Sequence, residues 1–234
     1  MLSITSPSVT RLRFGIVAVV VCGIILVFIG LLLYPTTISA AGILAPLAPI
    51  LILIVYATLG LSQARVTPPS TLRIGVRIGL IIGLWFIASS IFEYIVVLNV
   101  SANQTTGLVT YAAVALLFLS AGFIGVRQDG HLRSGIVSAL WSAVVGGLLW
   151  FLITFALLYL FKGSAHETNV QDLEMLGDFQ RSGMSDYSAF VMSDYFGAGF
   201  YHMILLPLAS VIFGTLGAGL SKLWDALFRH ASRS

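Results

Sequence analysis

The sequence predicts an all-α membrane protein of six transmembrane helices, arranged as three tandem, parallel helical-hairpin repeats. Composition is the first observation behind that reading. Of the 234 residues, 58% are hydrophobic and only 9% are charged, against the roughly 25% charged of soluble domains. A mean hydropathy of +1.01 leaves too little polar surface to cover a soluble fold. The second observation is six apolar stretches, each near the ~20 residues that let a helix cross a hydrocarbon core of about 30 Å. The third is a repeat. Leu12-Arg13-Phe14-Gly15-Ile16, Leu72-Arg73-Ile74-Gly75-Val76 and Leu132-Arg133-Ser134-Gly135-Ile136 each open a long apolar run, their arginines sixty residues apart. Self-similarity at a fixed interval marks a unit that buries itself by stacking on its copies.

The first span, 14–33, follows Arg11 and Arg13 and holds the single cysteine, Cys22. No intrachain disulfide is available, and the thiol reads as a buried structural group. The run is longer than the 7–15 residues of a signal-peptide core, so it reads as a retained transmembrane helix. The second span, 42–61, opens on Ala45-Pro46-Leu47-Ala48-Pro49, where proline suits helix initiation. Breaks at Tyr34-Pro35-Thr36-Thr37, Thr67-Pro68-Pro69-Ser70, Ser101-Ala102-Asn103-Gln104 and Gln128-Asp129-Gly130 separate it from its neighbours and delimit spans 78–98 and 107–126. The fifth span is 135–161. The sixth, 196–220, contains Pro207, which removes a backbone donor and is expected to kink the helix. None of these spans alternates with the period of two that a membrane β-barrel requires. The chain is thus one integral membrane domain, 1–234, with hairpins 12–65, 72–127 and 132–222. The hairpins' second arms echo each other at Thr58-Leu59-Gly60-Leu61-Ser62 and Thr215-Leu216-Gly217-Ala218-Gly219-Leu220-Ser221.

Charge sets the expected orientation. Sorted by alternate loops, Arg11, Arg13, Arg65, Arg73, Arg77, Arg127, Arg133, Lys222, Arg229 and Arg233 fall on one side, and only Lys162 and Arg181 on the other. The positive-inside bias then makes both termini cytoplasmic in a multi-pass protein of a prokaryotic plasma membrane. Arg13, Arg73 and Arg133 should share one level, where they would meet anionic lipid headgroups.

Small residues forecast the packing. Gly75, Gly79 and Gly83 form a stripe on the third span; Gly135, Ala139, Ala143 and Gly147 do so on the fifth; Gly214 and Ala218 do so on the sixth. Such stripes bring helix backbones together where lipid supplies no hydrophobic drive. They lie toward the cytoplasmic half, so the bundle should be tightest there and looser where Phe, Trp and Tyr accumulate.

Two ionisable groups lie well inside apolar spans: Glu93 and His202. Charge in a bilayer is costly, so such residues are candidate functional groups with a partner to be found. Similar depth predicts a Glu93–His202 pair lined by Tyr94 and Tyr201. The acidic loop 162–196 is the other unusual segment. Val170, Leu173, Leu176 and Phe179 recur every three residues, which predicts an amphipathic helix lying on the extracytoplasmic surface and offered to protein partners. Met184-Ser185-Asp186-Tyr187 recurs as Met192-Ser193-Asp194-Tyr195, nearly on one helical face. Asn99-Val100-Ser101 and Asn103-Gln104-Thr105 are sequons that matter only in a glycosylating host.

No Walker A, dinucleotide fingerprint, HExxH, CxxC or nucleophile elbow occurs, no EF-hand order is present among the carboxylates, and no basic cluster calls for nucleic acid. No motif indicates a cofactor, a metal or a catalytic residue, and the protein reads as a non-enzyme whose first partner is the lipid bilayer. Two function classes remain. One is a non-catalytic membrane subunit or scaffold of a larger complex. The other is a small-solute permease with its site near Glu93 and His202.

Overall fold

A computed structural model describes residues 7–96 and 99–231. The carboxyl end of the third predicted span, Val97 and Leu98, lies outside the described residues, as does Arg233. The order is α1 (Pro7–Leu33), α2 (Thr37–Ala41), α3 (Leu44–Val66), α4 (Pro69–Val96), α5 (Val100–Asp129), α6 (Leu132–Leu160), a π-helical turn (Glu167–Gln171), α7 (Asp172–Ser182) and α8 (Tyr187–Ala231). Among the described residues there is no strand, and α1, α3, α4, α5, α6 and α8 are each long and apolar enough to cross a membrane. The protein is an integral membrane protein by this architecture.

Local chemistry sets the ends of these helices. Pro69 begins α4, where its missing N–H costs nothing. Asn99 caps α5 by accepting from the Ala102 amide at 2.8 Å. Gly130, at φ 75°, supplies the left-handed residue that closes α5 and turns the chain into α6. Several helices start earlier than the apolar spans do: α4 at Pro69 rather than 78, α5 at Val100 rather than 107, and the sixth span at Tyr187 rather than 196. Asp186 caps the last of these, its carboxylate accepting from the Ala189 amide at 3.0 Å. The first of the two Met-Ser-Asp-Tyr strings therefore lies largely in the turn ahead of α8, and only the second is wholly helical.

The bundle has a basic end, which gathers the starts of α1, α4 and α6, and an acidic end carrying α2, the π turn and α7. α6 is its centre: 56% of its apolar window is buried, against 28% for α1 and for α3. It packs on α1, α4, α5 and α8. The first half of α6 buries many small residues, Gly135, Ser138, Ala139, Ser142, Ala143, Gly146 and Gly147, together with Trp141 and Val145. Its second half fills the interior with Phe151 and Phe155. The outward faces carry exposed Phe14, Leu32, Leu84 and Leu116, as lipid contact demands. Cys22 belongs to that outward face; it is exposed rather than buried, because α1 is covered on one side only.

The glycine stripes pack helices within the chain. A Cβ on Gly75 would strike Trp141 and the Ser138 carbonyl of α6, one on Gly79 would meet Val145 Cβ at 2.7 Å, and one on Gly83 would strike Leu149. At the basic end α5, α6 and α8 meet closely. A Cβ on Gly122 would strike the Gly214 carbonyl, one on Gly214 would strike Ala139, and one on Gly135 would sit 2.5 Å from the Gly122 carbonyl. Gly147 lies looser, its Cβ position 3.3 Å from Leu206. Polar clasps tie the same end. Asp129 accepts from the Ser70 hydroxyl at 3.0 Å and the Thr71 hydroxyl at 2.7 Å, and Lys222 donates to the Gly130 carbonyl at 2.6 Å.

Pro207 sits inside a continuous α8. It leaves the Met203 carbonyl without the amide that a residue four positions later normally supplies. Tyr56 of α3, itself buried, donates its hydroxyl to that carbonyl at 2.6 Å. The proline thereby makes a docking point between two helices remote in sequence.

Candidate functional site

The two intramembrane ionisable groups lie in one neighbourhood without bonding to each other. His202 has its own partners: Nδ1 faces the Ala198 carbonyl at 2.9 Å, and Nε2 faces the Tyr111 hydroxyl at 2.7 Å. A neutral ring that donates through Nδ1 can only accept at Nε2, so Tyr111 donates there. The imidazole also lies against Trp150, ring centres 4.5 Å apart. His202 is thus a satisfied residue that fixes two aromatic side chains. The direct pair with Glu93 is not made, since similar depth on α4 and α8 leaves Trp150 and Tyr111 as neighbours of both. Tyr201 is 58% exposed and turns to the lipid face, whereas Tyr94 does line the site.

Glu93 opens onto a polar chamber at the acidic end. Two adjoining compartments of about 160 and 210 Å³ share Ser90, Glu93, Asn103 and Trp150. The first runs down between α4 and α5 to Thr110 and Tyr111. The second runs up to His166, Gln171 and Glu174 in the segment before α8, and to Tyr195. Among the described residues no group hydrogen-bonds the Glu93 carboxylate. Glu174 is held by the Asn103 amide, which donates to its Oε2 at 3.1 Å. The walls are aromatic: Tyr94 packs on His166 with ring centres 4.6 Å apart, and its hydroxyl lies 3.3 Å from that of Tyr195.

The predicted amphipathic helix is α7, which carries Leu173, Leu176 and Phe179, with Val170 in the π turn ahead of it. Val170 is fully buried within the π turn, and Phe179 packs on Tyr187 and Phe190. Leu173 and Leu176 remain exposed. Gln171, at the last position of the π turn, is 7% exposed and its Nε2 is buried with no hydrogen-bond partner among the described residues. Sequence reasoning missed Gln171, Glu174, Asn103 and Trp150 as chamber residues. Each lies in a loop or on an apolar helix without periodicity to mark it, and only the return of the outer segment over α4 and α5 brings them together.

The segment is anchored to the other side of the bundle by Asp186, which accepts from the Thr36 hydroxyl at 2.5 Å as well as from the Ala189 amide. Those hydrogen bonds, the Thr36 one foremost, hold its carboxyl below the usual carboxylate range. Lys162 lies over the Tyr34 ring at 4.3 Å. At the opposite end Arg73 and Arg133 are exposed at the starts of α4 and α6, while Arg13 is half-buried in α1 with its Nε unpartnered. No family model, curated protein or solved structure matches the chain. Among the described residues no cluster of His, Cys, Asp and Glu has the spacing to hold a metal ion.

Proposed function

We propose that this membrane protein admits and binds a small polar solute at its acidic end, in the manner of a permease or solute-binding membrane protein. The observation that carries the reading is Glu93: a carboxylate on a spanning helix, facing a polar chamber and without a hydrogen-bonding partner among the described residues. A half-buried carboxylate on a spanning helix is unfavourable unless water or a ligand meets it. Close glycine contacts hold α5, α6 and α8 together at the basic end, and the polar chamber lies at the other.

The basic asymmetry supports an orientation in which this chamber faces away from the cytoplasm of a prokaryotic cell and both termini face it. The common arginine at the starts of α1, α4 and α6 supports descent of the three hairpins from one ancestor. It also supports contact of Arg13, Arg73 and Arg133 with anionic lipid, which vesicles with and without anionic headgroups would test by the stability they confer. Accessibility decides the main reading. With Cys22→Ser removing the native thiol, Ser90→Cys should react with a small membrane-impermeant thiol reagent added outside intact cells, and not with reagent confined to the cytoplasmic side. A thiol at position 90 that fails to react, or that is reached from the cytoplasm alone, would overturn the reading.

The subunit reading keeps one observation of its own, the exposed Leu173 and Leu176 on α7 above the bundle. It expects a stoichiometric partner that co-purifies in mild detergent and is lost on Leu173→Glu.

A further inference from the structure

Three features of the chamber specify its ligand, on the reading that it is a solute site. The first is charge. Glu93 and Glu174 both line the upper compartment, their like charges opposed, and among the described residues no Lys or Arg lines either compartment. Lys162 and Arg181 are engaged elsewhere, over the Tyr34 ring and with Asp178. A cation placed between the two carboxylates relieves their repulsion, and an anion adds to it.

The second feature is the wall. Trp150, Tyr94, Tyr111 and Tyr195 line the two compartments alongside the carboxylates, a setting that favours an organic ammonium group through cation–π attraction. A hard metal ion asks instead for six or more converging oxygens. The third is Gln171. Its Nε2 is a buried donor with no partner among the described residues, on a side chain 7% exposed that lines the compartment. A buried donor left unmade is unfavourable, and an ammonium group alone offers it no acceptor. A ligand that satisfies both ends must carry a cationic nitrogen and, a few atoms away, an acceptor oxygen.

We propose that the chamber takes a small amine of this kind, an amino alcohol or a similar ammonium compound with a hydroxyl or carbonyl oxygen. The ammonium group sits between Glu93 and Glu174 against Trp150, and its oxygen accepts from Gln171 Nε2. Volume limits its size. Compartments of about 160 and 210 Å³ hold on the order of five to seven waters at about 30 Å³ each, so the ligand has only a handful of heavy atoms.

The test uses the full-length protein with Cys22→Ser and Ser90→Cys, labelled from outside in the presence of ethanolamine, ethylamine, ethylene glycol or glycolate. With millimolar affinity, ethanolamine at about 10 mM should slow labelling at position 90 about tenfold. Ethylamine, which lacks the acceptor, should protect less, and the neutral and anionic compounds should not protect. Glu93→Gln should abolish protection, read as the ratio of labelling rates with and without amine within that variant. Gln171→Leu should erase the difference between ethanolamine and ethylamine, and it serves alone if Glu93→Gln fails to fold. Labelling that no amine slows, equal protection by ethylene glycol or glycolate, or an ethanolamine advantage that survives Gln171→Leu would overturn the ligand class while the solute-site reading stands. A thiol at position 90 that never reacts from outside would overturn both.

Discussion

Tyr56→Phe offers a test of how α3 is held to α8. The substitution deletes one hydroxyl from a side chain that is 5% exposed and leaves its ring in place. What is lost is the 2.6 Å hydrogen bond to the Met203 carbonyl. That carbonyl has no intrahelical amide to fall back on, because position 207 is proline. An unsatisfied buried acceptor costs about 1–3 kcal/mol, and hydrogen bonds between membrane helices average about 0.6 kcal/mol with a maximum near 1.7. The orphaned carbonyl places this bond toward the upper end, so Tyr56→Phe should destabilise by about 1.5 kcal/mol. The sign changes in a second background. Pro207→Ala restores an amide that can reach the Met203 carbonyl, after which the Tyr56 hydroxyl is the buried group without a partner. There, Tyr56→Phe should be neutral or stabilising, giving a coupling of about 1–2 kcal/mol around the cycle. Equilibrium unfolding by SDS in mixed micelles reads all four proteins. An equal cost of Tyr56→Phe in both backgrounds would refute the argument that proline creates the bond.

Gly122→Ala should destabilise by about 2–3 kcal/mol, since the new methyl meets backbone rather than a movable side chain and forces α5 from α8. Gly219→Ala, whose Cβ would meet nothing within 4 Å, is its control and should be neutral or slightly stabilising; similar melting temperatures for the two would contradict the close-packing account. Asp129→Ala frees the Ser70 and Thr71 hydroxyls at the start of α4 and should cost about 1–2 kcal/mol, with faster amide exchange confined to the first turn of α4. Asp186 titrates below its ordinary value in the folded chain. Its contribution is therefore present above the unfolded value near pH 3.9 and lost as pH falls through the lower folded value. The protection factors of amides in the first turn of α8, exchange rates corrected for the intrinsic pH dependence, should fall over that range, and Asp186→Ala should show the low protection at every pH; protection that does not change with pH in the native protein would count against the cap.

The sequence determined the solvent and the secondary structure of this chain. A 58% hydrophobic composition with few charges leaves lipid as the only environment for most side chains. In lipid the backbone must satisfy its own hydrogen bonds, so apolar runs of about 20 residues become helices whatever their partners. Glycines at intervals of four were legible for the same reason: a stripe lies on one helix face by geometry alone, and α4 does use its stripe against α6. Tertiary structure decided the rest, because it depends on which faces meet. Depth along a helix can be counted from sequence, but rotation about the axis cannot, so Glu93 and His202 shared a level without sharing a bond. The loop before α8 was legible in part. Its apolar spacing read as a surface helix, and α7 is one, but the burial of Val170 and Gln171 in the turn ahead of it comes from the segment's return over the bundle. The chamber is the product of that return. Its residues come from α4, α5, α6, α7, α8 and the π turn, and pairings over such sequence separations arise from packing that no local pattern encodes.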